Sequence, residues 1–306
     1  MTLKGWLKGK GPNGFGYDST AEDVLRLLDL RGKTYLVTGC NSGIGFETVR
    51  TLSNQGATII AAARSREKAV KVCDAIRNGS RPLVCDLAEL GSVRNAIQEV
   101  SKWGIPLDGI IANAAVMAMP RLQQIHGIEA HFYINHLGHF VLVNGLLPLL
   151  SETGRVVMVS SEAHRRAPKE GIQFDNLSGE KSYRPLSAYG QSKLANLLFA
   201  KALAKRLPKS GQTAHALHPG VIVTPLWRHF PSPLIQGVKF IGAPFLKDIP
   251  SGAATQCYVA AHSEPGKNRG EYYLDCQIAI PSRHGRDEAM AERLWQVSES
   301  ICAGLK

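Results

Sequence analysis

Several things are scarce or missing in this 306-residue chain, and each absence removes a class of function. No stretch approaches the ~20 consecutive apolar residues that a membrane helix needs. The six cysteines (Cys40, Cys73, Cys85, Cys257, Cys276 and Cys302) form no CxxC pair and no metal-ligand spacing. Several lie in apolar runs, where a free thiol behaves as a small core residue. A disulfide framework and a metal site are therefore not expected, and a reducing, cytoplasmic setting is. Acidic residues are few: 25 Asp and Glu against 36 Lys and Arg leave a formal net charge of +11. The basic residues come only in short pairs, such as Arg165-Arg166 and Lys205-Arg206, so no stripe for nucleic acid is formed. A phosphate-rich small molecule explains the charge better. The opening "MTLKGWLKGKGPNGFG" lacks the apolar core and small-residue cleavage site of a secretory signal. Residues 1–16, rich in Gly and Lys, read as a loose arm, with Leu3, Trp6 and Leu7 placed for weak contact with a lipid surface.

What is present is an alternation. "DSTAEDVLRLLDL" reads as a short helix with Ser19 or Thr20 as N-cap, which makes residues 1–30 an arm plus helix and residues 31–306 one domain. From "TYLVTG" onward, short apolar runs alternate with helical stretches. The runs are "ATIIAAAR", "PLVCD", "LDGIIANAA", "GRVVMVSS", "TAHALHPG" and "GEYYLD". The helices span Ile44 to Gln55, a stretch through Ala75, "LGSVRNAIQEVSK", about Gly127 to Leu150, and the segment around "YGQSK". Continuous apolar strands are buried on both faces, as in a parallel sheet covered by helices. The alternation predicts an α/β fold, a doubly wound Rossmann-type sheet of about seven strands. One long irregular insertion, residues 224–245, follows the sixth strand at the carboxyl edge where ligands bind in such sheets. Its Trp227, Phe230, Leu234, Phe240 and Phe245, with Val116 and Met117, predict an apolar substrate pocket over which the segment orders.

Strand one runs into its helix through "LVTGCNSGIGFET", with Gly39, Gly43 and Gly45 at GxxxGxG spacing and Asn41, Ser42 and Ile44 between them. Glycines let the backbone approach a bulky anion, and the free N–H groups of the next helix favour a pyrophosphate. In this position, between first strand and first helix, the cluster predicts a dinucleotide site. The end of strand two selects the dinucleotide. An acidic residue there accepts from ribose hydroxyls, whereas Arg64, with Arg66 and Lys68 nearby, suits a 2′-phosphate and predicts NADP(H) over NAD(H). Asp86 and Leu87, after strand three, and Asn113 and Ala114, after strand four, complete the expected cofactor edge.

Tyr189 and Lys193 in "YGQSK" stand four residues apart, which places them ~6 Å apart along one face of a helix. A free tyrosine titrates near ~10, so a lysine beside it is a means of lowering that value for proton transfer. Taken singly, each residue has an ordinary structural reading; their combination does not. "TGCNSGIG", "NAA" from 113, "YGQSK" and "HPGVIVT" from 218 resemble, in order and spacing, the short-chain dehydrogenases/reductases. "NHLGHF", "VVMVSSEAHR", "SKLANLLF" and "SGAATQCYVA" are similar to a narrower group, the retinol dehydrogenases and the catalytic domain of the WW-domain-containing oxidoreductase. The resemblance spans roughly residues 30–300 and implies a role for each matched residue. Tyr189 is implied as general acid/base, and Lys193 as holder of the nicotinamide ribose. Ser161 is implied as hydrogen-bond donor to the substrate oxygen, and Asn135 as positioner of a relay water. Pro219, Gly220, Val221 and Thr224 are implied to abut the nicotinamide. The resemblance also implies self-association through the helices carrying Asn135 and Tyr189. His218 reads as structural, and His126 and His164 as surface or loop histidines. The expected function is NADP-dependent hydride transfer to or from an alcohol/carbonyl of a small apolar molecule. Reduction of a carbon–carbon double bond, a pattern protochlorophyllide reductases share, and NADP(H) sensing with little turnover are the alternatives.

Overall fold

A computed structural model describes residues 5, 7, 9–76, 79–208, 211–222 and 246–305. Leu3, Trp6, Thr224 and the rest of the 224–245 insertion, with its expected pocket aromatics, lie outside the described residues. The short helix α1 (Ala21–Leu25) starts where expected. Thr20 accepts from the Asp23 N–H at 3.1 Å, and Asp23 accepts from the Thr20 N–H at 3.0 Å. Then come β1 (Thr34–Thr38), α2 (Gly43–Asn54), β2 (Thr58–Ala63), α3 (Arg66–Ile76), β3 (Arg81–Val84), α4 (Leu90–Trp103) and β4 (Leu107–Ala112). The second half holds β7 (Leu150–Val159), α6 (Pro185–Arg206), β8 (Thr213–His218), α7 (Ile249–Ala261), β9 (Tyr272–Leu274), β10 (Gln277–Ile278) and α8 (Glu288–Gly304). Eight strands form one sheet in the order β3-β2-β1-β4-β7-β8-β9-β10, parallel throughout except for β10. That is one strand beyond the expected seven. Each face of the sheet carries its own apolar core, one under α1, α2 and α7, the other under α4, α6 and α8.

The expected single helix from Gly127 to Leu150 is divided. A hairpin of β5 (Gln124–Ile125) and β6 (Ile128–Glu129) comes first. A rod, α5, follows, made of the turn Ala130–Phe132, the π turn Tyr133–Leu137 and the helix Gly138–Leu146. Glu129 sets the start because its carboxylate accepts from the N–H groups of His131 and Phe132, both at 3.0 Å. Pro148, in the turn Leu147–Leu149, marks the end.

The N-terminal arm is not loose over residues 10–16. Asn13 donates to the Cys276 carbonyl at 2.8 Å, Gln277 donates to the Phe15 carbonyl at 3.0 Å, and the Phe15 ring meets Tyr258. The C-terminal α8 lies across α5 and α6. Trp295 packs on Phe140 and Phe199, and His136 shares a 2.8 Å hydrogen bond with Ser298. Packed between the sheet and α8, every residue of α6 from Tyr189 to Ala200 is buried. α8 therefore packs against both helices that carry Asn135 and Tyr189. No helix among the described residues is long and apolar enough to cross a membrane.

Candidate active site

Sheet order reverses between β1 and β4, and the crevice outside their carboxyl ends is where such sheets bind ligands. A cleft of about 1000 Å³ opens there. Its floor is the β1–α2 loop. Gly39 has φ 64°, and a Cβ on it would stand 2.7 Å from the Ala114 Cα. A Cβ on Gly45 would run into the Gly39 carbonyl. Ser42, the N-cap of α2, makes no side-chain capping bond, and Ser42 to Gly45 line the cleft with Asn41. A dinucleotide pyrophosphate fits a cradle stripped of side chains at a helix N-terminus. Asn113, just after β4, braces the cradle, donating to the carbonyls of Thr38 (2.9 Å) and Gly39 (3.2 Å). Its buried Oδ1 has no partner among the described residues, which leaves an acceptor for a ligand. Arg64, exposed at the end of β2, and Lys68 line the same cleft. Asp86 and Leu87 form its far edge, and the Asp86 Oδ1 accepts from the Ala88 N–H at 3.0 Å.

Ser161, Tyr189 and Lys193 meet at the other end. Ser161 follows β7 and accepts from the Ala163 N–H at 3.1 Å, while α6 presents Tyr189 and Lys193 one turn apart. Both α6 residues are buried, and the Lys193 Nζ lies 5.7 Å from the Tyr189 ring centre and donates to the Val159 carbonyl at 2.8 Å. The electrostatics correct the sequence reading. Burial pushes the Tyr189 hydroxyl up to about 12, against a smaller opposing pull from its Ser161 hydrogen bond. Burial also brings the Lys193 ammonium down to about 7. Without cofactor, desolvation outweighs the attraction of the pair and drives both groups toward neutrality.

Asn135 sits in the π turn of α5, and its carboxamide is committed to protein. It accepts from the Val116 N–H (2.8 Å) and donates to the Val116 carbonyl and the Ser192 Oγ, both at 2.9 Å. Its backbone carbonyl accepts from the His139 Nδ1 at 2.9 Å. The tautomer follows from the other ring nitrogen. Thr38 Oγ1 already accepts from the N–H groups of Asn113 and Ala114, so its own proton goes to the His139 Nε2 at 2.8 Å. His139 is buried, which brings it down to about 4, so it stays neutral and ties the cradle to the π turn.

Pro219, Gly220 and Val221 line the cleft after β8, and His218 beside them is buried and held near about 4 by burial. His126 is exposed, as expected. His164 is not a surface residue. It is buried, its Nδ1 donates to the Ser161 carbonyl at 2.6 Å, and its Nε2 accepts from the Ser282 N–H at 3.0 Å. Sequence reasoning missed His139, His131 and Glu129. The one available signal was Glu129 itself, an acidic residue ahead of a helical run.

Comparison with known proteins follows the same lines. A family model described as short chain dehydrogenase matches residues 33–233. The short-chain dehydrogenase TIC 32 B, chloroplastic, of Brassica napus is 40% identical, and the alignment covers 100% of both chains. Human retinol dehydrogenase 14 is 37% identical over 90% of this chain and 88% of its own. The WW domain-containing oxidoreductase of Drosophila melanogaster is 35% identical over 94% of this chain and 72% of its own. Among solved structures, a short chain dehydrogenase from Burkholderia cenocepacia in complex with NADP has a TM-score of 0.63 at 25% identity, over 80% of this chain and 96% of that one.

Proposed function

Because this chain belongs to the short-chain dehydrogenase family of oxidoreductases, whose members use a nicotinamide cofactor, we propose that it is an NADP-dependent alcohol dehydrogenase or carbonyl reductase acting on an apolar substrate. The observation that carries the reading is the meeting of Ser161, Tyr189 and Lys193 at one end of a cleft whose other end is the glycine cradle. Gly39 to Gly45, Asp86, Asn113 and the 219–221 turn would hold the dinucleotide, and Arg64 with Lys68 would pair with a 2′-phosphate. The NADP complex of the Burkholderia relative supports that choice. Bound there, the nicotinamide ring supplies the hydride partner and, when oxidised, a further positive charge.

The chain's own residues handle the oxygen. In reduction, the Tyr189 hydroxyl gives its proton to the substrate oxygen while Ser161 donates a hydrogen bond to it; in oxidation Tyr189 takes that proton back. A tyrosine near about 12 is fully protonated at neutral pH, which is the form a reductase needs. To act as base it must be stabilised further as tyrosinate. The Lys193 ammonium, 5.7 Å from the Tyr189 ring centre, favours the tyrosinate. The positive charge of an oxidised nicotinamide, when bound, would add to that stabilisation.

The test is a screen following NADPH absorbance over aldehydes, ketones, steroids and retinoids. Turnover at a carbonyl, faster with NADPH than NADH, is expected. Reduction confined to carbon–carbon double bonds, or tight NADPH binding with no turnover, would replace this reading by one of the two alternatives.

A further inference from the structure

The loop after β4, from Val116 to Met119, runs beside Tyr189, and its backbone is gripped at both ends. Met117 and Ala118 pack on Tyr189, and Ala118 is left-handed, with φ 51°. A residue with a Cβ holds that conformation only where its surroundings impose it. At the Val116 end the grip is the Asn135 carboxamide, which takes both the N–H and the carbonyl. At the Met119 end the N–H donates to the His131 Nε2 at 3.2 Å, and the carbonyl accepts from the Tyr183 hydroxyl at 2.6 Å.

The protonation of this second grip can be read from its bonds. An amide N–H only donates, so the His131 Nε2 facing it carries no proton. The ring proton is therefore on Nδ1, which donates to the Glu129 Oε1 at 2.6 Å. Glu129 is fixed in turn by the N–H groups of His131 and Phe132. His131 and Glu129 are 0% and 2% exposed, and neither they nor Tyr183 line the cleft. A buried carboxylate orienting an imidazole is how proteins fix a ring toward one partner, and here that partner is the amide of Met119.

We propose that Glu129, His131 and Tyr183 are positioning residues that hold the Met117–Ala118 wall against Tyr189 and so set how wide an apolar group the substrate carries beside its reacting carbon. The inference rests on the proposed function, with the wall as the part of that site that discriminates between substrates. Val116 and Met117 line the cleft, so a shift of Met119 moves its surface directly. Tyr183 acts through the Met119 carbonyl and Glu129 through the His131 ring. The His131 ring also meets the Tyr189 ring edge-on, centroids 6.2 Å apart, so Tyr183→Phe is the change that separates grip from chemistry.

The test compares wild type with Tyr183→Phe, His131→Ala and His131→Gln, using a slim and a bulky carbonyl from the screen. Tyr183 is half-buried and keeps its ring as Phe, so that variant folds. The two grip-breaking changes, Tyr183→Phe and His131→Ala, are expected to shift the slim-to-bulky ratio of kcat/KM by roughly fivefold or more, with NADPH affinity unchanged. In Tyr183→Phe the shift comes mainly through KM, whereas His131→Ala also loses its edge-on contact with Tyr189 and lowers kcat for both substrates. Hydrogen exchange at the Met119 amide should accelerate in His131→Ala and slow again in His131→Gln, whose side-chain oxygen accepts in place of Nε2. Faster exchange with an unaltered substrate ratio would overturn the proposal, as would exchange that does not respond. A wild type that turns over no carbonyl overturns this proposal together with the proposed function, whereas normal wild-type turnover with unaltered ratios overturns this one alone.

Discussion

On the β1 side of the cleft the chain withdraws side chains, and on the β7 side it packs polar ones in. Gly39 and Gly45 leave bare backbone, where a single Cβ would collide with Ala114 or with the Gly39 carbonyl. Opposite them, Asn135, His139, Tyr189 and Lys193 are buried, and Asn135, His139 and Lys193 are held by hydrogen bonds at 2.8–2.9 Å. The first surface can bind a phosphate because nothing stands in the way. The second can do chemistry because each polar group is oriented and desolvated, at the price of groups forced away from their ordinary charge states. Affinity and turnover should therefore respond to different residues.

The largest break in that separation is expected at Lys193, which belongs to both sides. Lys193→Met should lower turnover by roughly 10²-fold or more, and should also weaken NADPH binding if the ammonium holds the ribose. The same change should stabilise the cofactor-free protein. The lysine titrates near about 7 when folded against an ordinary 10.5, so the unfolded chain binds more protons between those values. Burial of the ammonium thus weighs fully on the wild type below pH 7 and fades as pH rises toward 10.5. Melting curves without cofactor should show the variant ahead by a few kcal/mol at and below neutrality, with the gap closing toward pH 10. A gap that widened with pH would contradict the burial argument.

A smaller and cleaner effect is expected at Arg64. Arg64→Asp should weaken NADPH binding at least tenfold, about 1.4 kcal/mol, while leaving NADH binding and the rate at saturating cofactor close to wild type. Equal affinity of the wild type for the two cofactors would remove the 2′-phosphate from the account.

Much of this was legible in the sequence, and unevenly so. The cradle was readable because glycine spacing and strand–helix order are local, and the Tyr189–Lys193 pair because four residues make one helical turn. The two-residue β10 and the π turn are too short to leave a periodic signal. The Thr38–His139 bond joins residues 101 apart and the His136–Ser298 bond residues 162 apart, so neither histidine announces its duty in its neighbourhood. His164 reads as a loop residue until Ser282 is seen to cover it. The direction of the Tyr189 shift was missed for the same reason. Spacing gives the lysine, but only packing gives the desolvation that outweighs it.

The central claim, that one side of the cleft binds while the other reacts, is tested most directly at Tyr189. Tyr189→Phe keeps the ring that packs on Met117 and Ala118 and removes only the hydroxyl. Turnover and NADPH affinity should be measured on the same preparation, with any carbonyl from the screen. The account predicts a fall in turnover of roughly 10²-fold or more, with NADPH binding unchanged within about twofold. Near-normal turnover would contradict it and leave "YGQSK" as the edge of a helix.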